Sequence, residues 1–232
     1  MLKLQNVKFG FRDKQLFSQL NISISENKIT GIVGNNGVGK TSLFRIIAGI
    51  YKPQEGNIIY KNKKLVGLEV ALLPTDPFFY SYMSGLEYLQ LSTRCVPKDL
   101  LDTHVSEMNL PLEELVDGYS TGMKKKLAFS SIYLLNKPIV ILDEPFNGVD
   151  LESNEILKYI IKQKAINRTT LISSHILSSL LDICDEIIHI QENFTMDLYS
   201  QENFDILMNK MKQRIDDKFS IPIGSNDNST LG

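Results

Sequence analysis

One stretch of eight residues constrains this chain most, because it follows the spacing GxxxxGK[ST]. The stretch is Gly34-Asn35-Asn36-Gly37-Val38-Gly39-Lys40-Thr41, and Ser42 follows it. Its glycines allow backbone conformations in which successive N–H groups point inward and form a nest for an anion. An apolar run at residues 28–33 precedes it, and residues 41–50 carry apolar side chains at helical spacing. The sequence therefore predicts a phosphate-binding loop, with Lys40 on the terminal phosphates and Thr41 as a Mg²⁺ ligand.

Two acidic residues follow a second apolar run, at residues 138–142. Active sites of open parallel sheets lie at the carboxyl ends of the strands, so Asp143 and Glu144 are predicted to lie near the phosphate loop. Asp143 would belong to the Mg²⁺ shell, and Glu144 would act as general base toward the attacking water. The alternative is an ordinary acidic pair at the end of a strand, which the upstream phosphate loop disfavours.

The start of this second run begins like the guanine-binding sequence NKxD of GTPases. It is Asn136-Lys137-Pro138-Ile139, in which Ile139 replaces the aspartate. The stretch also enters the strand that leads to Asp143, which is the wrong place in the fold for reading a guanine base. A GTPase is therefore disfavoured.

Composition narrows the classes of function further. The 232 residues include 25 Lys and Arg against 27 Asp and Glu, and a net charge of −2 argues against a strongly basic nucleic-acid binder. No apolar run approaches the ~18 residues that span a bilayer, and the N-terminus lacks the apolar stretch of a signal peptide. Cys95 and Cys184 form no spaced cluster, so neither a disulfide framework nor a cysteine zinc site is predicted. We therefore expect a soluble intracellular protein with no nucleic-acid partner.

The alternation of apolar segments predicts an α/β fold around a largely parallel sheet. Strands are predicted at residues 2–9, 16–25, 28–33, 57–60, 138–142, 169–173 and 186–190. Helices are predicted at residues 41–50, 84–94, 98–109, 124–136 and 151–164. The chain is divided into a nucleotide-binding core at 1–74 and 124–212, an inserted helical subdomain at 75–123, and a polar, flexible tail at 213–232.

Seven segments of the chain resemble, in their order and spacing, the nucleotide-binding domain of ABC transporters, over about residues 1–200. They are Phe11, the phosphate loop Gly34 to Thr41, Leu73-Pro74-Thr75-Asp76, Tyr119-Ser120-Thr121-Gly122-Met123, Asp143-Glu144, Asn147-Gly148-Val149-Asp150 and Ser174-His175. The resemblance implies a P-loop NTPase core with a mixed, largely parallel sheet. It also implies an N-terminal antiparallel β subdomain and an inserted α-helical subdomain.

The resemblance further implies that two such domains pack head to tail around ATP and Mg²⁺. The second domain would be another copy of this chain or a paralogous ATPase subunit. In that arrangement Ser120 and Gly122 of one domain contact the γ-phosphate held by the other, where the helix dipole favours the charge. Asp150 forms part of the dimer seam, and His175 contacts the γ-phosphate or the attacking water. Phe11 stacks on the adenine.

Three residues depart from the family pattern. Thr75 stands where the family has a Gln, so a shorter hydroxyl side chain would face the Mg²⁺. Thr121 replaces the first glycine of the LSGGQ signature, and Tyr119 replaces its leucine. This form of the signature is similar to ATPase subunits of bacterial exporters. The resemblance thus implies ATP hydrolysis that drives a separate transmembrane permease from the cytoplasmic face of the membrane.

Several residues also have a simpler interpretation. Phe11 is either the adenine-stacking ring or plain core, and His175 is either the switch histidine or an ordinary loop residue. Lys124-Lys125-Lys126 is interpreted as a solvated face beside the signature. The rings of Pro77-Phe78-Phe79-Tyr80-Ser81-Tyr82 either receive a helix of the permease or pack the insert onto the core.

Two other functions compete with a transport ATPase. A non-transport ABC ATPase acting on DNA or ribosomes usually carries coiled-coil insertions, tandem cassettes or zinc modules. A chain of 232 residues without heptads or a cysteine cluster does not accommodate them. A solitary P-loop NTPase or nucleotide kinase is disfavoured by the Tyr119 signature and His175. Co-purification with a polytopic membrane protein, rather than with nucleic acid, discriminates between these functions.

Overall fold

The computed structural model of this chain describes residues 1–12, 14–93 and 108–219. Its strands are β1 (Leu2–Phe11), β2 (Lys14–Ile24), β3 (Ile29–Val33), β4 (Glu55–Tyr60), β5 (Lys63–Lys64), β6 (Val70–Leu73), β7 (Ile139–Leu142), β8 (Thr169–Ser173), β9 (Glu186–Ile190) and β10 (Met196–Ser200). Its α-helices are α1 (Lys40–Ile47), α2 (Gly85–Thr93), α3 (Thr121–Leu134), α4 (Leu151–Lys164), α5 (Ser178–Leu181) and α6 (Phe204–Phe219). Single 3₁₀ turns lie at Gly67–Glu69, Val116–Gly118 and Gln201–Asn203.

The strands form two sheets. The larger has the order β10-β9-β3-β8-β7-β6, and its neighbours are parallel except for the antiparallel pair β9 and β10. The smaller is antiparallel, with the order β2-β1-β4-β5. The predicted α/β class is therefore confirmed, with a mixed, largely parallel sheet and an N-terminal antiparallel one.

The larger sheet is covered on both faces, and β7 shows this residue by residue. Ile139 and Ile141 face a core that β1, β2 and α1 complete. Val140 and Leu142 face the opposite core, which α3 and α4 complete. All four side chains are fully buried, as expected for a parallel strand between two layers.

The residues of the predicted insert share the second of these cores. Leu89 of α2 and Val116 are buried in the same cluster as Phe129 of α3. Tyr119, 5% exposed, occupies the position of the signature leucine, and its hydroxyl donates to the carbonyl oxygen of Pro111 at 2.6 Å. The Tyr119 side chain thus connects the C-terminal end of the predicted insert to Pro111, eight residues earlier in the same insert.

Some predicted bounds differ from the structure. The helix predicted at 41–50 ends at Ile47, because Gly49 is left-handed (φ 73°) and its N–H donates back to the carbonyl oxygen of Ile46 at 3.1 Å. The helix predicted from 124 begins at Thr121. The helix predicted at 98–109 falls largely outside the described residues.

Five strands and α-helices were not predicted at all. They are the strands β5, β6 and β10, the short helix α5 and the helix α6. This helix continues to Phe219, so residues 213–219 are helical, whereas the sequence placed them in a flexible tail. Residues 220–232 of that tail lie outside the described residues.

Candidate active site

Four adjacent strands of the larger sheet end at the same edge, in the order β3-β8-β7-β6. β3 leads into the phosphate loop, and β6 leads toward Thr75. β7 ends immediately before Asp143 and Glu144. Because β8 lies between β3 and β7, His175, which follows β8, is placed between the phosphate loop and the acidic pair.

The phosphate loop fits tightly against neighbouring elements, which explains two of its glycines. Gly34 has φ 155°, and a Cβ there would lie 2.6 Å from the carbonyl oxygen of Ile190. Gly39, the residue before α1, has φ 101°, and a Cβ there would lie 3.0 Å from the ring of Phe17. A side chain at either position would distort the loop that presents its N–H groups to an anion.

The predicted loop residues divide between the cleft and its surroundings. The loop and the start of α1 line the cleft with Asn36, Gly37, Gly39, Lys40, Thr41 and Ser42. Val38 instead lies in the core, 5% exposed, and Asn35 Nδ2 donates to Oε1 of Glu192 at 2.8 Å. In this conformation Val38 and Asn35 offer an anion only their backbone.

Lys40 lies across the phosphate loop and is 7% exposed. Its Nζ donates to the carbonyl oxygens of Gly34 at 2.8 Å and Asn35 at 3.3 Å, and lies 3.9 Å from Oε1 of Glu144. Burial lowers the pKa of Lys40, while the carboxylates of Glu144 and Asp143 oppose that shift. Because the hydrogen-bond acceptors of this ammonium are neutral carbonyl groups, a phosphate can replace them and bind it more strongly.

Two hydroxyl groups hold the carboxylate of Asp143, which is 1% exposed. Thr41 Oγ1 donates to Oδ2 at 2.7 Å, and Ser173 Oγ donates to Oδ1 at 2.6 Å. The two predicted Mg²⁺ ligands, Thr41 and Asp143, are therefore in direct contact. Hydroxyl and carboxylate oxygens are the hard ligands that Mg²⁺ takes in proteins.

Glu144 lies in a left-handed backbone conformation, with φ 52°. Its N–H donates to Ser173 Oγ at 2.9 Å. Its Oε2 lies 2.9 Å from Nδ1 of His175 and accepts from the His175 N–H at 3.2 Å. A positive φ is strained for a residue with a Cβ, so surrounding bonds must hold this carboxylate in place. The structure brings the two predicted catalytic residues Glu144 and His175 together.

The cleft has a volume of about 570 Å³, and the antiparallel sheet contributes one of its walls. Phe11, Lys14 and Leu16 line that wall. Phe11 is 51% exposed, so it is not a core residue. Thr75 and Asn147 line the cleft together with Glu144 and His175.

Ser120, Gly122 and Asp150 lie outside this cleft, and two of them are N-cap residues of helices. Ser120 is the N-cap of α3, and its Oγ accepts from the Met123 N–H at 3.2 Å. Asp150 is the N-cap of α4, and its bond from the Ser153 N–H, 2.9 Å long, lowers the pKa of Asp150. A Cβ on Gly122 would lie 3.2 Å from Oδ2 of Asp150, so these segments are neighbours. Ser120, Gly122 and Asp150 do not line the cleft that the described residues form.

The interpretation of Lys124-Lys125-Lys126 as a solvated face is wrong for its middle residue. Lys125 is 6% exposed. Its Nζ donates to the carbonyl oxygen of Thr75 and lies 3.5 Å from the carbonyl oxygen of Glu144. Burial lowers the pKa of Lys125, and the carboxylates of Asp76 and of the acidic pair oppose that shift.

Sequence reasoning missed several residues of the cleft and its support. Ser173, which bonds both acidic residues, could have been found as a polar residue at the end of a buried strand. Asn147 was noted only as part of its segment. Lys14 and Leu16 carried no local signal, because they reach the cleft from a different sheet.

The chain is similar to known proteins over most of its length. The ABC transporter family matches residues 17–147 of the chain. The bacitracin transport ATP-binding protein BcrA of Bacillus licheniformis is 30% identical over 207 residues, which are 83% of this chain and 67% of that protein. The SkfA peptide export ATP-binding protein SkfE of Bacillus subtilis is 28% identical over 216 residues, 86% of this chain and 89% of that protein.

A solved ATP-binding subunit of an ABC transporter has the same fold. It superposes with a TM-score of 0.80 at 20% identity, over 90% of this chain and 93% of that chain. Among the described residues, none of the helices combines the length and the apolar character needed to cross a bilayer.

Proposed function

We propose that this chain, which belongs to the ABC transporter family as an ATP-binding subunit, hydrolyses ATP and thereby drives a separate membrane permease. One observation carries the proposal. Lys40, Thr41, Glu144 and His175 line a single cleft beside the phosphate loop. Within this group Glu144 is bonded to His175, and Thr41 is bonded to the buried Asp143. Such a cleft supplies a phosphate cradle, a cation site and a base, which are the parts that phosphoryl transfer to water requires.

Hydrolysis needs a water molecule in line with the γ-phosphate and a group to take its proton. In this proposal the carboxylate of Glu144 accepts that proton as the water oxygen bonds to the γ-phosphorus. The bond from the γ-phosphorus to the bridging oxygen breaks, and ADP and phosphate result. His175, 2.9 Å from the carboxylate, orients it. Lys40 and the N–H groups of the loop stabilise the charge on the phosphate oxygens.

The residues present fit a Mg²⁺ ion bound with the nucleotide. Mg²⁺ takes one or two protein oxygens together with phosphate oxygens and water, and Thr41 with Asp143 supplies such a pair. When bound, the ion neutralises charge on the β- and γ-phosphates. Ser173 fixes the Asp143 carboxylate for this role. We place Thr75, which lines the same cleft, as a third residue facing the ion.

A second copy of the chain, or a paralogous subunit, completes the site in this proposal. Ser120 and Gly122 stand at the N-terminus of α3, a helix of 14 residues whose first N–H groups favour an anion. Asp150 lies beside Gly122, whose Cβ, if present, would be 3.2 Å from its Oδ2. Their place outside the chain's own cleft supports a head-to-tail dimer in which each signature contacts the γ-phosphate of the other subunit.

The permease is proposed to dock on an aromatic surface formed by Phe78, Tyr80 and Tyr82. These side chains are 71%, 55% and 85% exposed. Exposed aromatic rings close together are typical of protein interfaces. The names of BcrA and SkfE, which refer to bacitracin transport and peptide export, support an exporter. The chain would then act at the cytoplasmic face of the membrane through its permease.

Glu144→Gln tests the hydrolytic step, because the amide cannot accept the proton of the attacking water. We expect kcat to fall by about 10²–10⁴-fold, while ATP still binds. The variant should accumulate as an ATP-bound dimer, which size-exclusion chromatography with and without ATP detects.

Glu202→Gln is the matched control, since Glu202 is exposed on a distant 3₁₀ turn. It should turn over ATP like the wild type and should not accumulate as a dimer. Rapid turnover by Glu144→Gln would remove Glu144 as the general base. A wild-type protein that neither binds nor hydrolyses ATP would overturn the proposed function as a whole.

A further inference from the structure

A buried ammonium lies next to the cleft but has no role in the chemistry described so far. Lys125 stands in the first turns of α3 and is 6% exposed. Its Nζ donates to the carbonyl oxygen of Thr75, just after β6, and lies 3.5 Å from that of Glu144, just after β7. One cation therefore joins three segments: the two ends of the predicted insert and the residue proposed as general base.

Glu144 depends on such contacts more than an ordinary residue does, because its φ of 52° is strained. Its N–H donates to Ser173 Oγ at 2.9 Å, and its carbonyl oxygen accepts from the Asn147 N–H at 3.2 Å. Lys125 adds the only charged group among these peptide contacts in the described residues. The direction of the Glu144 side chain follows from the orientation of this peptide.

We propose that Lys125 is a positioning residue for ATP hydrolysis, whose ammonium fixes the carbonyl groups of Thr75 and Glu144 and so sets both side chains in the cleft. The inference rests on the proposed function, because it takes Glu144 as the general base. Lys125 acts through these backbone groups and does not line the cleft formed by the described residues.

If Lys125 only stabilised the fold, its substitution would change the kinetics in a different way. Its loss would lower the folded fraction, and catalytic rate and nucleotide affinity would fall together. A positioning residue leaves nucleotide binding intact, because the phosphate loop is separate from Lys125, and lowers kcat alone. Displacement of a catalytic group by about 1 Å costs up to ~10²-fold in rate.

The test compares Lys125→Met with Lys162→Met, a control that removes an exposed lysine from α4. We expect Lys125→Met to lower kcat by about 10–100-fold, with the Kd for a non-hydrolysable ATP analogue, measured without Mg²⁺, unchanged. Lys125→Arg keeps a cation and its donors, and it should recover most of the lost rate. Lys162→Met should match the wild type in both quantities.

Hydrogen exchange supplies a readout that does not require hydrolysis. The backbone N–H groups of Thr75, Asp76 and Phe78, and of residues 143, 144, 146 and 147, should exchange faster in Lys125→Met than in the wild type, and not in Lys162→Met. If Lys125→Met does not fold, Lys125→Gln, which keeps a shorter uncharged donor, replaces it in both measurements.

Three results would overturn the proposal. They are a wild-type kcat in the variant, a loss of kcat matched by an equal loss of affinity, and no recovery in Lys125→Arg. If the wild type binds ATP without hydrolysing it, the proposed function is wrong. In that case hydrogen exchange still tests Lys125, because unchanged exchange at the two segments in Lys125→Met would overturn its positioning role.

Discussion

Phe11 keeps 51% of its surface exposed although it has two aromatic neighbours. Phe9 and Tyr51 stack on each other, with ring centroids 5.4 Å apart. Phe11 lies nearly perpendicular to both rings, with centroids 5.3 and 5.8 Å away. Because Phe11 lines the cleft and about half of its surface is exposed, a purine base bound there can stack on its ring.

Phe11→Ala should therefore weaken ATP binding. Stacking of a base on an aromatic ring contributes ~1–3 kcal/mol, which corresponds to an increase in Kd of about 5–150-fold. GTP should lose affinity similarly, because every base presents a π-face. Equilibrium binding of both nucleotides measures this.

Phe11→Tyr is the control for this change, since it keeps the ring and should bind ATP like the wild type. An ATP Kd that Phe11→Ala leaves unaltered would show that the ring does not contact the base. Neither variant should change the phosphate contacts of Lys40, so the two nucleotides should keep their relative affinities.

At the scale of elements, α6 docks onto the sheet rather than leaving it as a tail. Phe204 and Leu207 are 7% and 0% exposed and belong to the core that α3 and α4 also complete. On the polar side, Lys210 Nζ donates to Oδ2 of Asp197 on β10 at 2.7 Å. This bond raises the pKa of Lys210 and lowers the pKa of Asp197. The helix and the edge strand therefore stabilise each other.

Leu207→Ala should destabilise the protein if this docking is part of the core. Truncation of a fully buried leucine costs about 2–5 kcal/mol, through lost burial and the cavity that remains. Urea unfolding of the isolated protein measures the free energy of unfolding.

Ile206→Ala provides the comparison at an exposed position of the same helix, where the side chain is 58% exposed. It should change the free energy of unfolding by less than about 0.5 kcal/mol. Equal effects of the two substitutions would mean that α6 does not pack on the core in solution.

At the scale of the whole molecule, the aromatic segment after Thr75 separates into two groups. Phe78, Tyr80 and Tyr82 form the exposed aromatic surface. Phe79 instead packs on the core, with its ring 4.7 Å from that of Tyr88. The sequence left open whether these rings dock a partner or pack the insert. In the structure Phe79 packs on the core, and the other three rings are exposed, as docking would require.

Alanine at Phe78, Tyr80 or Tyr82 should reduce association with a permease and leave the Tm and basal ATPase activity of the isolated subunit unchanged. Phe79→Ala should lower the free energy of unfolding by about 3 kcal/mol, near the lower limit for a core phenylalanine. Co-purification of the tagged subunit with a polytopic membrane protein, beside thermal unfolding, measures both effects.

The exposed rings and the core residue Phe79 serve as controls for each other. If all four substitutions destabilise the isolated subunit equally, the proposed docking surface is wrong and the permease binds elsewhere. If the exposed rings change neither stability nor association, they have no part in docking.

The sequence by itself determined the segments whose signal is local. The strands at Thr169–Ser173 and Glu186–Ile190 and the helix at Leu151–Lys164 have the bounds that their apolar patterns predicted. The phosphate loop and the acidic pair were also predictable, because each combines a motif with an adjacent buried strand. Short-range backbone preference and burial are sufficient to specify such elements.

Tertiary structure alone decided what depends on contacts between distant segments. The edge strands β6 and β10 were not predicted, and in the structure each is held by a single neighbouring strand, β7 for β6 and β9 for β10. Lys125 belongs to a run of charges in the sequence, yet its ammonium is buried because carbonyl groups from two other segments converge on it. The position of β8 between β3 and β7, which brings His175 to Glu144, likewise follows from strand order, and no local pattern encodes strand order.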